Sequence, residues 1–366
     1  VEVGEPIRHQ VVEVPKAPAR VTEDQLHALQ CKCGGVTRAD LPEGVPTGAF
    51  GPRLGGIVAV LSGGYRLSKR AIQSLLRDLF GVEISLGSIS GCEQAMSETL
   101  APAVEEARAF VQQQAVAHAD ETGWREGRRR AWLWVAVTTF VTVFMIDRRR
   151  DMAAAKALLG AFAGILVSDR WKAYDFVDLV RRQLCWSHLR RDFQWISEHA
   201  GKAHHVGAAL LAASNRMFHW WHRVRDGTMT RAEFRKAMVP LRRRVESLIL
   251  DGTKCHQRKV AGMCWQLHQV SDALWTFVEV EGVEPTNNAG EQKIRPAVMY
   301  RKGSFGTHSA EGSRFVERML TVVATLRQQN RNVVDYVTHA SEAALLGLPP
   351  ASLLPQSPPT ALLAAA

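Results

Sequence analysis

Three acidic residues in separated stretches raise the first chemical question. Asp120 follows the short apolar run VAHA, Asp169 ends the apolar run GILVSD, and Glu291 lies in PTNNAGEQKIRP, which gathers two asparagines, a glutamate, a lysine and an arginine. A carboxylate beside buried strand residues is costly unless a cation or a set of donors meets it. Two hard carboxylates favour Mg²⁺ or Mn²⁺, which take oxygen ligands and keep waters that a phosphate can replace. A third carboxylate completes a two-metal site. One ion then activates a water or a 3′-hydroxyl, the other stabilises the leaving oxygen, and no covalent enzyme intermediate is needed. Glu291 is the natural third ligand, because a helix following a long insertion can lie against the same sheet edge. Asn287 and Asn288 would then shape the start of that helix, and Lys293 and Arg295 would sit near the phosphates.

Each residue also has a plainer reading. An Asp at a strand end is often a turn former, Glu121 rivals Asp120, and Asp175 and Asp178 rival Asp169. Pro285 can open a helix, Thr286 or Asn287 can cap it, and Glu291 and Arg295, four apart, can form an ordinary surface ion pair. Cys185 and His188 make a C-x-x-H pair with no second pair in sight. Cys185 then packs on a buried strand and His188 supports the acidic site. Neither G-x-S-x-G nor a phosphate-cradling Walker motif occurs.

The elements that must position these residues follow from the patterning. VAHADETGW, AWLWVAVTT and TVFMID read as a three-stranded antiparallel meander, DMAAAKALLGAF as a helix, GILVSD as a buried strand, WKAYDFV as the start of a helix, and Gln183 to Trp186 as a further strand. This β-β-β-α-β-α-β order predicts an α/β fold with a mixed sheet, in which the middle of the first strand lies beside the C-terminal end of the fourth. A basic helical insertion is expected at about residues 188–275, ahead of Glu291. The Gly-rich RKGSFGTHSAEGS could grip a DNA backbone through Arg301, Lys302 and its amides.

Upstream, Ser68 can cap a helix that Gly81 ends, and a second helix starts near Ser85 or Ser88. Two short helices around a tight connection fit a helix-turn-helix over residues 61–114, with Lys69, Arg70 and Arg77 tilting it toward DNA; a plain helical hairpin is the alternative. Residues 1–60 read as a small irregular module, with VEVGEPIRHQVVEVPKAP alternating like short strands. Cys31 and Cys33 supply half of a zinc site, with only His27 nearby. Residues 341–366, ending in a Pro/Ala-rich tail, read as disordered.

The bulk numbers agree with a nucleic-acid partner. Among 366 residues, 46 Lys and Arg face 36 Asp and Glu, a formal charge of +10, which favours a polyanionic partner, nucleic acid or an anionic membrane surface, without choosing between them. The longest apolar run, Ala131 to Ile146, is shorter than the ~20 residues of a spanning helix, so no membrane role is expected. Six scattered cysteines and no secretory leader pattern suit a reducing cytoplasm. The chain opens on Val1 rather than Met, so a preceding segment is expected.

HADETGW, SDRWKAY, QLCWSHLRRDF and TNNAGEQKIRPAVMYRKGSFGT, in this order, resemble the bacterial insertion sequence 66 family of DDE transposases, over roughly residues 20–340. The resemblance implies a ribonuclease H-like catalytic domain over residues 115–340, interrupted by an insertion, with the acidic triad on Asp120, Asp169 and Glu291. Cys185 and His188 match the C-x-x-H that follows the second Asp in many transposases with such insertions. The implied partners are double-stranded DNA, as element ends and target, further copies of the chain in a synaptic complex, and accessory proteins of the same element. The chain departs from the family pattern in two places. CKC stands in the position of a second Cys pair whose first pair would precede Val1, which leaves zinc short of ligands, and Glu291-Gln292 replaces the family's E-R.

Overall fold

The structure is a computed structural model and describes residues 8–355. Residues 8–27 are exposed and form no strand, although VVEVPKAP alternates. Pro15 and Pro18 lack N–H donors, and no sheet lies alongside to cover the apolar side. Val1–Ile7 lie outside the described residues. Strands β1 (Ala28–Gln30) and β2 (Val36–Arg38) form an exposed antiparallel ribbon whose turn carries Cys31 and Cys33.

Helix α1 (Pro52–Ala59) lies where the sequence predicts irregular chain, and a π-helical turn Val60–Gly64 follows it. The glycines that suggest turns there serve close packing instead. A Cβ at Gly63 would lie 2.5 Å from Met319 Cβ. Helix α2 (Lys69–Phe80) starts where Ser68 Oγ accepts the Ala71 N–H and stops at left-handed Gly81. Helix α3 (Leu86–Gln112) is capped by Ser85. The two helices are therefore present, but the second is long rather than short. Its first turns share a small core of Val58, Ile72, Leu76, Ile84 and Ile89 with α1 and α2. Beyond Met96 it packs into the main core with the sheet.

The sheet has the order β5-β4-β3-β6-β7. Strands β3 (Val116–Glu126), β4 (Arg129–Val137) and β5 (Thr142–Asp147) form the predicted antiparallel meander, and α4 (Met152–Leu159) leads into β6 (Ile165–Ser168). β6 pairs parallel to β3, and β7 (Arg182–Leu184) parallel to β6. Two expectations fail between β6 and α5 (Trp186–Ser197). WKAYDFV starts no α-helix: it forms only the 3₁₀ turn Lys172–Tyr174, with a second at Leu179–Arg181 beyond it, because Tyr174 is drawn into the core, where its hydroxyl donates to Glu121. The strand expected at Gln183 to Trp186 ends two residues early. Trp186 begins α5, its N–H donating to Pro285 O and its ring packed 5.1 Å from that of Trp275.

The insertion comprises α5, α6 (Lys202–Arg225), α7 (Arg231–Gly252), α8 (Arg258–Gln269) and the short α9 (Thr276–Glu279). It packs in a second core around Phe193, Leu210, Phe234, Val260 and Trp275, which reaches Val167 and Leu184 of the sheet. The chain then returns to the sheet through α10 (Asn288–Ser304) and α11 (Ala310–Gln328).

Helix α11 covers the edge strand. The Thr142, Phe144 and Ile146 N–H groups of β5 donate to Thr325 Oγ1 (3.1 Å), Thr321 Oγ1 (2.9 Å) and Glu317 Oε2 (2.7 Å). Four helical residues climb about 6 Å and two strand residues about 6.6 Å, so the acceptors keep pace with the donors. An otherwise open edge is thereby satisfied.

Helix α12 (Val333–Leu345) and the segment after it are also ordered against the core. Leu353 is fully buried, and Tyr336 Oη donates to Ala351 O. This corrects the expected disorder over residues 341–355; residues 356–366 lie outside the described residues. Among the described residues no helix is long and apolar enough to cross a membrane.

Candidate active site

The parallel register sets the first two carboxylates. His118 stands opposite Val167, so Asp120 and Asp169 each follow two residues further along neighbouring strands. β6 has ended by then, and the chain turns away. Asp169 Oδ1 accepts the Trp171 N–H at 2.9 Å, and Asp120 Oδ1 accepts the Glu121 N–H at 2.8 Å.

The third carboxylate arrives on α10, whose start is fixed by Asn287. This side chain is fully buried and does not cap the helix. It instead donates from Nδ2 to Ala119 O (2.8 Å) and meets His118 Nδ1 through Oδ1 (3.1 Å). Its backbone N–H reaches Cys185 Sγ at 3.1 Å. At the other end of the helix, Arg301 Nη1 donates to Gly123 O and Thr122 Oγ1 of the same strand. Helix α10 therefore lies along β3, and Glu291 in its first turn faces the strand ends. The ordinary surface reading of PTNNAGEQKIRP does not hold. No Asn287 side-chain cap forms, and Glu291 lies not beside Arg295 but beside His188, Nδ1 to Oε1 at 3.5 Å with no hydrogen bond between them.

Charge crowding marks the site. Burial pushes the Asp120 carboxyl up to about 7, and the neighbouring charges of Glu121, Asp169 and Glu291 push the same way. Glu121 is raised by burial and by Asp169, against the opposing bonds from Tyr174 and Arg150. Alternation along β3 sends Glu121 to the face opposite Asp120. There its side chain is 2% exposed and accepts from Arg150 (3.0 Å) and Tyr174 Oη (2.8 Å). The Arg150 guanidinium lies between the Trp132 and Trp171 rings, 4.7 and 4.3 Å from their centroids. This support was not legible beforehand; the adjacent acidic pair in HADETGW was its only signal.

Cys185 and His188 sit at the N-terminus of α5, beside Glu291. Burial lowers the His188 pKa and raises that of Cys185. Cys31 and Cys33 are exposed thiols, and among the described residues neither belongs to a group of His, Cys, Asp and Glu that could share an ion.

Of the predicted DNA contacts, Arg70, Arg77, Arg295 and Lys302 are exposed. Arg77 lies 3.4 Å from Asp78. Lys69 is committed to the helix pair, bonded to Ser90 (2.6 Å) and Glu93 (3.0 Å). Lys293 is half-buried, which lowers its pKa. Asn288 is exposed at the first turn of α10. Only Phe305–Ser309 of the Gly-rich stretch form a loop, and it docks on the β3–β4 hairpin, where a Cβ at Gly306 would collide with the Arg125 carbonyl.

The residues present fit divalent ions. Asp120, Asp169 and Glu291 come from β3, the end of β6 and α10, the charges of Asp169 and Glu291 help to push the Asp120 carboxyl up, and Glu291 Oε1 is buried without a hydrogen-bond partner.

The fold and site together define an α/β protein with an acidic centre where neighbouring parallel strands end. The model of the family described as "Transposase IS66 family" matches residues 48–314, from just before α1 into the first turns of α11. The chain belongs to the IS66 family of transposases, which are DNA-processing enzymes. No curated protein matches it.

Proposed function

We propose that this chain is a cytoplasmic DDE transposase with a ribonuclease H-like catalytic domain, which hydrolyses the phosphodiester bond at insertion-sequence ends and joins the freed 3′-hydroxyl to target DNA. The observation that carries the reading is the parallel β3–β6 register, with Asp120 and Asp169 at matching positions and Glu291 held against them by Asn287.

Asp120, Asp169 and Glu291 would hold two Mg²⁺ or Mn²⁺ ions. Bound there, the ions would supply Lewis acidity at the scissile phosphate and a water or 3′-hydroxyl acidic enough to attack it. The protein's own part is positional. Asn287 fixes the height of Glu291 on the strand, and the Glu121–Tyr174–Arg150 network braces the far side of β3. Lys293, Arg295, Arg301 and Lys302 line α10 and offer positive charge to the DNA backbone. Arg70 and Arg77 offer the same on α2, in keeping with a helix-turn-helix formed by α2 and α3 that reads terminal repeats. Joining two ends requires a homo-oligomeric synaptic complex, with accessory proteins of the element as further partners.

The test is a Mg²⁺-dependent cleavage and joining assay on DNA carrying the element's ends, comparing wild type with Asp169→Asn. Wild type should cut and join, while the variant binds the same DNA and does neither. Cutting without joining would mark a nuclease. Equal inertness of two DNA-binding proteins would mark a binding remnant.

A further inference from the structure

We propose that Cys185, His188 and Glu291 form a second metal site, for a thiophilic divalent ion of the Zn²⁺ class, and that filling it withdraws Glu291 from the carboxylate cluster. Cys185 Sγ and one ligand atom each of His188 and Glu291 lie within 4.8 Å of one another. Ligands at Zn²⁺ bonding distances stand roughly 3.3–3.7 Å apart at the corners of a tetrahedron. His188 Nδ1 and Glu291 Oε1 are 3.5 Å apart.

Two further observations point to a ligand. His188 Nδ1 and Glu291 Oε1 are both buried atoms with no hydrogen-bond partner, a state that native proteins rarely leave unfilled. Cys185, 1% exposed, is the N-cap residue of α5, its sulfur accepts the Asn287 N–H at 3.1 Å, and an ion bound there would displace the thiol proton. Thiolate and imidazole select Zn²⁺ over Mg²⁺. With three protein ligands and an open fourth position, the site suits an exchangeable ion rather than a closed structural one. The C-x-x-H pair thus finds its missing partner far along the chain, on α10.

The binding half stands independently of any catalytic role. The withdrawal half rests on the proposed role of Glu291, because one carboxylate cannot serve both centres with the same geometry.

Co²⁺ is the probe, added to the full chain carrying Cys31→Ser and Cys33→Ser so that the N-terminal thiols do not contribute. A thiolate-to-Co²⁺ charge-transfer band with tetrahedral d–d absorption is expected at one ion per chain. It should vanish in Cys185→Ser and in His188→Asn, and persist in Asp120→Asn. His188→Asn carries the test if circular dichroism shows that Cys185→Ser does not fold. An intact band in a folded Cys185→Ser, or no band in the parent, overturns the site. In Mg²⁺-driven cleavage, one equivalent of Zn²⁺ should suppress the parent's rate but leave that of Cys185→Ser at its own zinc-free value. Equal suppression of both overturns the withdrawal. Absence of cleavage in Mg²⁺ alone removes the catalytic reading and the withdrawal with it, while the Co²⁺ bands still decide the site.

Discussion

Asp120→Asn separates the electrostatics of the site from its chemistry. The carboxyl is raised from 3.8 to about 7, first by burial and then by three neighbouring acidic groups. The folded protein therefore binds a proton at Asp120 that the unfolded chain has released, so this group's contribution to stability is greatest below pH 4 and falls as pH rises to about 7. Over that window the ionised group costs the folded state on the order of 4 kcal/mol. This is an upper bound, since water and small shifts relieve part of it. Asn keeps the shape and the acceptor for the Glu121 N–H but carries no charge. In chelator-treated protein, urea denaturation should find the variant close to wild type near pH 4 and more stable than wild type at pH 8, by up to about that amount. Mg²⁺ should then stabilise wild type and narrow the gap. A difference between the two proteins that does not change with pH would refute the argument, because it would mean that Asp120 is not held against its own charge.

Asn287→Ala removes the bond to Ala119 O and leaves His118 Nδ1 without its partner; it should lower stability by about 2–4 kcal/mol in denaturant titration and abolish cleavage, whereas unchanged activity would show that α10 does not need this tie. Thr321→Val keeps the volume but leaves the Phe144 N–H unsatisfied, so a loss of about 1–3 kcal/mol is expected, with the β5 amides exchanging faster by hydrogen-exchange NMR. Arg295→Ala combined with Lys302→Ala should weaken DNA binding irrespective of sequence and flatten the slope of log affinity against log salt by about 2; an unaltered slope would place the backbone path elsewhere.

The sequence made the meander and β6 legible because their apolar runs are short, β-branched and bounded by turn residues. Asp120 and Asp169 were legible for a related reason, since a charge directly after such a run demands an explanation. Helix α1 was hidden because composition cannot tell a packing glycine from a turning one: Gly56 packs on α12, and Gly63 and Gly64 of the turn after it pack on α11. The short Lys172–Tyr174 turn was hidden because burial of Tyr174 against Trp134 and Glu121 overrides local helix preference. Asn287 was assigned to the start of the right helix, yet its partners on β3 lie far back in the chain, beyond any local pattern.

The insertion makes this dependence on Asn287 sharper. The polypeptide leaves the sheet at Leu184, passes through a second hydrophobic core that Val167 and Leu184 share, touches β7 again where Thr276 bonds Arg182 O and the Phe277 N–H bonds Gln183, and reaches β3 only with α10. Loop closure over such a length is entropically unfavourable, though only slowly more so with each added residue, so something must fix where the chain comes back. The contacts found at the return point are specific. Trp186 N–H bonds Pro285 O, the Asn287 N–H bonds Cys185 Sγ, and the Asn287 side chain bonds β3. The first two tie the ends of the insertion to each other, and the third ties both to the strand that carries Asp120. Cys185 of the C-x-x-H pair is therefore one of several contacts that close the insertion, and the height of Glu291 on the sheet follows from that closure together with the Arg301 bonds to Gly123 and Thr122.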